Sequence, residues 1–139
     1  MHADRFLDTN ILLYGYDLDA GPKRKVATAL MADGWRNPGC TAVSVQVLQE
    51  FYVNFIRLGK SSEQARRIIE DLSIWPVIDN TLERFGHGLA LCEQFKLSLW
   101  DAMILAAAKD SGARELLTED LNHGQDYDGV LVLNPFSRV

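Results

Sequence analysis

The sequence predicts an α/β domain: a mostly parallel sheet of about five strands, covered by helices on both faces as a three-layer sandwich. Short apolar runs alternate with longer stretches of helical period along the whole chain. Parallel strands need such helical crossovers, and a sheet built that way is buried on both sides. The 139 residues, 47% hydrophobic and 24% charged, suffice for one core and exclude a disordered or fibrous chain. The expectation is one domain over residues 1–139.

The first strand is read at 5–8, ending on Asp8, with a short helix behind it through Ile11-Leu12-Leu13-Tyr14. Gly21-Pro22 breaks the chain and opens a helix over 22–35, where proline's missing N–H costs no hydrogen bond. Asn37-Pro38-Gly39 turns into a second strand at 40–43. Ser44 starts a helix running to about Leu58 and closed by Gly59. Its apolar side carries Val47, Leu48, Phe51, Tyr52, Phe55 and Ile56. Ser61 with Gln64 forms a capping box for a helix to Leu72. A third strand is read at 74–78, and Pro76, which cannot donate, places it at an edge or bulge. Asn80 with Glu83 caps the next helix, whose core face is read as Leu82, Phe85, Leu89, Cys92 and Phe95. Ser98 starts a further helix, ended by Gly112, and strands follow at 115–118 and 130–133. Asp126-Tyr127-Asp128-Gly129 reads as a turn before the last strand.

No apolar run approaches the roughly 20 residues of a membrane span. Met1-His2-Ala3-Asp4-Arg5-Phe6 is no secretion signal, so a cytoplasmic protein with no membrane partner is expected. Cys40 and Cys92 lack zinc-type spacing and read as small buried residues in a reducing compartment. The net charge is −5, split as +2 over residues 1–67 and −7 over 68–139. An acidic chain does not attract nucleic acid by net charge. Four carboxylates gathered around a cation would change that balance to near neutrality.

Four acids are candidates for such a site. Asp8 and Asp120 fall just past the carboxyl ends of predicted strands, where open parallel sheets bind ligands. At about 100° per residue, Asp101 shares a core-facing stripe with Ile104, Leu105 and Ala108, a costly place for an unpaired charge. Glu50 lies amid a polar stripe with Gln46, Gln49, Asn54 and Arg57. Each acid also has an ordinary alternative. Asp8 suits an N-cap, Ser98 with Asp101 suits a capping box, Glu50 suits an exposed face, and Glu119-Asp120 suits a solvated turn. If they converge they need a cation or a proton, because two like charges 4 Å apart cost about 4 kcal/mol at an effective dielectric near 20.

The segments Leu7-Asp8-Thr9-Asn10-Ile11-Leu12-Leu13-Tyr14, Val47-Leu48-Gln49-Glu50-Phe51-Tyr52, Leu97-Ser98-Leu99-Trp100-Asp101-Ala102 and Leu117-Thr118-Glu119-Asp120-Leu121, in this order, resemble the PIN-domain family over essentially the whole chain. Val132-Leu133-Asn134-Pro135-Phe136 is similar to the family's final strand and tail. The resemblance, closest to VapC-type toxins, implies a Mg²⁺- or Mn²⁺-dependent ribonuclease holding one or two ions. It also implies a homodimer inhibited by a small antitoxin protein. Carried over by position, Asp8 and Asp101 would be the principal metal ligands, and Glu50 and Asp120 would complete the catalytic set. Glu119 is the adjacent alternative for the fourth acid, while Thr118 and Asn10 would orient carboxylates and water. Oxygen ligands with no His or Cys suit Mg²⁺. The implied chemistry is in-line attack of metal-activated water on an RNA phosphodiester, leaving 5′-phosphate and 3′-hydroxyl ends. Lys23, Arg24, Lys25, Arg57 and Lys60 are candidates to hold the RNA backbone.

Asp8-Thr9-Asn10 also resembles the strand-end nucleophile of haloacid-dehalogenase-type phosphatases, but that chemistry wants a second acid where Asn10 stands. Asp17-Leu18-Asp19-Ala20-Gly21 has its glycine misplaced for a calcium loop and is a turn. His2, His87 and His123 have no partner spacing and no assigned role. The rival from another class is a non-catalytic module that binds RNA or protein through the same fold.

Overall fold

Leu7 and Phe6 are fully inaccessible, so β1 (Arg5–Leu7) must be covered on both faces and flanked on both edges. It lies at the middle of a six-stranded sheet in a computed structural model describing residues 2–138. The other elements are α1 (Thr9–Tyr16), α2 (Pro22–Arg36), β2 (Thr41–Ser44), α3 (Val45–Arg57), α4 (Ser62–Leu72), β3 (Val77–Ile78), α5 (Leu82–Phe95), α6 (Leu99–Asp110), β4 (Glu115–Leu117), β5 (Asp126–Tyr127) and β6 (Val130–Leu133). Across the sheet the order is β3-β2-β1-β4-β6-β5. Phe6 pairs with Ala42 on one side and Leu116 on the other, and Leu117 pairs with both Leu7 and Leu133. The first five of these strands run parallel, as expected. Helices α1–α4 pack among themselves, and α5 packs on α6, which crosses β2, β4 and β6.

This topology decides where a ligand can sit. The chain winds outward from β1 through β2 to β3, then returns to β4 on the opposite side of β1. The crevice beyond the carboxyl ends of β1 and β4 is therefore the switch point of the sheet. The capping signals place the helices that border it: Ser44 Oγ accepts from Val47 N (3.2 Å) and Ser98 Oγ from Asp101 N (3.2 Å).

Several expectations need correction. A sixth strand, β5, pairs antiparallel with β6 through a two-residue turn. Asp128 and Gly129 both have positive φ there, and the Gly129 amide donates to Asp126 Oδ1, so the predicted turn is a hairpin. The third strand shrinks to β3 at the sheet edge, where Pro76 precedes it. In α5, Thr81 replaces Asn80 as the cap, and Leu82 (85% exposed), Phe85 and Leu89 face outward. The inward face holds Gly88 and Leu91, with Cys92 and Phe95 at its margin. A Cβ on Gly88 would press into the Met103 thioether, so glycine leaves that side chain its place between α5 and α6. Similarly, α3 buries Val47, Leu48, Phe51 and Phe55 but leaves Tyr52 and Ile56 partly exposed, and Cys40 and Cys92 are half-buried rather than buried. No described helix is long and apolar enough to cross a membrane.

Candidate active site

Asp8 stands where β1 hands over to α1. Its extended backbone makes it the cap of that helix, and its Oδ1 accepts from Thr9 N at 2.7 Å. The other oxygen, Oδ2, accepts from Thr118 Oγ1 at 2.7 Å, across the gap between β1 and β4. Asp8 is only 7% exposed, and neither hydrogen-bond donor is a cation. Burial therefore pushes its carboxyl up to about 6; the Thr118 and Thr9 bonds oppose this, and the charges of Asp120 and Glu50 add to it.

The other three acids reach the same crevice from three further elements. Asp120 follows β4, and its backbone N donates to Thr118 Oγ1 (3.1 Å), so one threonine hydroxyl positions both Asp8 and the turn bearing Asp120. Asp120 is raised as well, first by burial, then by the charges of Asp101 and Glu119 and by that of Glu50, against a hydrogen bond with Asp8. Asp101 sits in the first turn of α6 at the end of the buried stripe Ile104, Leu105 and Ala108, half-buried and open toward the crevice. Glu50 comes from the middle of α3. Its Oε1 accepts from Thr9 Oγ1 (2.7 Å) and its Oε2 from Gln46 Nε2 (3.3 Å), and that amide also donates to the Trp100 carbonyl (3.2 Å). Asp120 is thus the common neighbour of the set: it interacts with Asp8, Glu50 and Asp101, and Asp8 also feels Glu50.

Glu119 points elsewhere. Its carboxylate is gripped by the Tyr14 hydroxyl, by Lys23 Nζ (2.9 Å) and, at the 3.5 Å limit, by Asn10 Nδ2. Burial works to raise it, but the Tyr14 and Lys23 bonds outweigh burial and hold it below the usual carboxylate range. Lys23 is accordingly engaged, with its amine 4.9 Å from the Tyr14 ring centre. Among the other basic candidates, Arg24 and Lys25 are exposed on α2, and Lys60 lies 6.0 Å from the Phe55 ring. Arg57 lines a cleft of about 240 Å³ with Asn10, Tyr14 and Asn54.

Thr9, Gln46 and Tyr14 are site-bordering residues that the sequence did not single out. Gln46 had a legible signal, one helical turn before Glu50 on the same polar stripe. Thr9 had only its place beside Asp8, and nothing marked Tyr14.

Among the described residues no three His, Cys, Asp or Glu side chains are gathered closely enough to hold a metal ion. The donor set nevertheless fits a hard divalent cation. It offers carboxylate oxygens only, and its most buried member carries an uncompensated charge.

Comparison with known proteins identifies the family of this fold. A family model described as the PIN domain matches residues 5–125, which contain all four acids. A toxin–antitoxin complex from Klebsiella pneumoniae is similar to it, with 28% identity, a TM-score of 0.68, and coverage of 95% of this chain and 98% of that one. VapC20 of Mycobacterium tuberculosis, a Sarcin-Ricin loop cleaving toxin, shares the fold at 19% identity and a TM-score of 0.68, over 84% of this chain and 92% of that one. FitAB bound to a DNA fragment shares it at 14% identity and a TM-score of 0.70, over 95% of each chain. No curated protein matches. With the switch-point crevice, its acids and a family model spanning most of the sequence in agreement, the chain belongs to the PIN domain family.

Proposed function

We propose that the protein is a Mg²⁺- or Mn²⁺-dependent endoribonuclease, the toxin of a toxin–antitoxin pair. One observation carries this reading: the buried, uncompensated Asp8 carboxyl faces Glu50 and Asp120, and Asp120 in turn faces Asp101, at the crevice of a PIN-family sheet. Asp8 and Asp101 would be the principal holders of one or two ions, with Glu50 and Asp120 completing the set. Such an ion, when bound, polarises a phosphodiester and strengthens water as a nucleophile. The chain's own residues prepare the place. Thr118 and the Thr9 amide fix the Asp8 carboxylate, the Thr9 hydroxyl and Gln46 fix Glu50, and Ser98 sets the turn that presents Asp101. Arg57, which lines the neighbouring cleft together with Asn10, Tyr14 and Asp17, is the basic candidate that would meet a phosphate backbone there.

The similarity to a Klebsiella toxin–antitoxin complex supports an antitoxin partner. So does an apolar groove of about 510 Å³ between α3 and α4, lined by Val45, Leu48, Tyr52, Val53 and Ile69. The outward Leu82, Phe85 and Leu89 of α5 support self-association as a homodimer.

The deciding experiment is RNA cleavage by purified, antitoxin-free protein with Mg²⁺ or Mn²⁺, with EDTA, and with Asp8→Asn and Asp101→Asn. Cleavage that needs the ion and is lost in both variants is the expected result. Cleavage surviving both substitutions would refute the site. No cleavage together with no ion binding would turn the reading to a non-catalytic binding module.

A further inference from the structure

The turn after β4 carries two adjacent carboxylates with opposite surroundings, and the difference has a built cause. Glu119 is held by groups from two separate elements: Tyr14 on α1 through its hydroxyl, and Lys23 on α2 through its amine at 2.9 Å. The holders are themselves fixed. Tyr14 packs edge-on against Phe136 with centroids 5.2 Å apart, and Lys23 lies 4.9 Å from the Tyr14 ring centre and 5.5 Å from that of Phe136. Phe136 is 5% exposed, so this aromatic wall is part of the core. Residues 119 and 120 lie together in a bend. With Glu119 tied to Tyr14 and Lys23, and the Thr118 hydroxyl holding the Asp120 amide at 3.1 Å, the bend is fixed at both residues while the Asp120 carboxyl meets Asp8.

We propose that Tyr14, Lys23 and Glu119 form a positioning latch that presents Asp120, and not Glu119, to the divalent cation. The proposal rests on the reading of the acids as a metal site. The latch holds no ion and acts on the metal site only through Asp120, while Tyr14 also lines the cleft that contains Arg57. It also gives Lys23 a task other than holding RNA, and it cancels one negative charge beside a crevice that must admit a polyanion.

The test is Mn²⁺ binding by calorimetry to the full chain, with the metal-free melting temperature of each variant measured alongside. Tyr14→Phe and Glu119→Gln should each weaken Mn²⁺ binding by about tenfold, the usual scale for residues that orient ligands. RNA cleavage should fall through kcat, with KM little changed. The decisive arm is the pair Asp120→Asn and Asp120→Asn/Glu119→Gln, which should bind Mn²⁺ equally, because a latch has nothing left to position once Asp120 is gone. An additive further loss in the double variant would overturn the latch, and so would unchanged Mn²⁺ affinity in Tyr14→Phe and Glu119→Gln. Loss of all binding in Glu119→Gln with binding kept in Asp120→Asn would make Glu119 the ligand and overturn it too. If the wild-type protein binds no Mn²⁺, the parent reading falls and takes the latch with it, an outcome separate from every variant result.

Discussion

At the start of β1, Arg5 Nε donates to Thr41 Oγ1 at 3.2 Å and the guanidinium lies 3.4 Å from Asp33, which Arg36 also grips. Those two arginines, Arg36 first, hold Asp33 below the usual carboxylate range. At the other end of the same short strand, Asp8 is buried, bonded only to neutral donors, and pushed up to about 6. One end has its charges settled within the chain, whereas the other leaves a carboxylate whose natural partner must come from outside. Perturbed carboxylates in a crevice mark functional sites because stability alone gives no reason to keep them.

The largest effect that would sharpen this contrast is on activity. Asp8→Asn should cut Mg²⁺-dependent RNA cleavage by at least about 100-fold, while Asp33→Asn leaves the rate unchanged; equal losses would dissolve the distinction between the two ends. Stability should move the other way. Because the folded-state carboxyl of Asp8 titrates near 6 against 3.8 in the unfolded chain, the folded form binds its proton more tightly. Metal-free stability therefore falls as pH rises from about 4 to about 6 and is level above that, a loss approaching about 3 kcal/mol. Asn mimics the protonated acid. In EDTA, Asp8→Asn should melt higher than wild type at pH 7 and match it near pH 4, as followed by circular dichroism across that range. A variant less stable at pH 7 would show that Asp8 is a structural cap and nothing more. Next in size, Thr118→Val keeps the shape but frees Asp8 Oδ2, and it should weaken Mn²⁺ binding by about tenfold. The smallest expected effect concerns the substrate. Arg57→Ala should reduce the slope of log RNA affinity against log salt by about 1, and Arg36→Ala, at the settled end, should not change it.

How far the sequence reaches is clearest in two helices. In α6, Ser98, the alanine-rich stripe and Asp101 were legible together, because an acid on a core face breaks the periodicity and the cap fixes where the helix begins. In α5 the same periodicity misled. Leu82, Phe85 and Leu89 do share a face, but spacing cannot say whether this chain covers that face, and here Gly88 and Leu91 are the covered ones. The short hairpin β5–β6 was hidden for another reason: two paired residues carry no period, although Asp128-Gly129 is itself a hairpin signal. Asp8, Asp101 and Asp120 were legible as candidates because strand ends and caps are local, whereas Glu50, in the middle of α3, was singled out by the family resemblance. The choice between Glu119 and Asp120 was not local. What the structure adds is that Glu119 is held by Tyr14 and Lys23, 105 and 96 residues away in the chain.

The sheet's outermost strands, β3 and β5, are each two residues long. An exposed strand edge is a template on which another chain can add itself, and its danger grows with the length of unpaired backbone it displays. Here the template is too short at both flanks to seed a growing ribbon. The folded protein should therefore stay free of edge-to-edge aggregation at high concentration, and its sheet edges offer little for an assembly to build on.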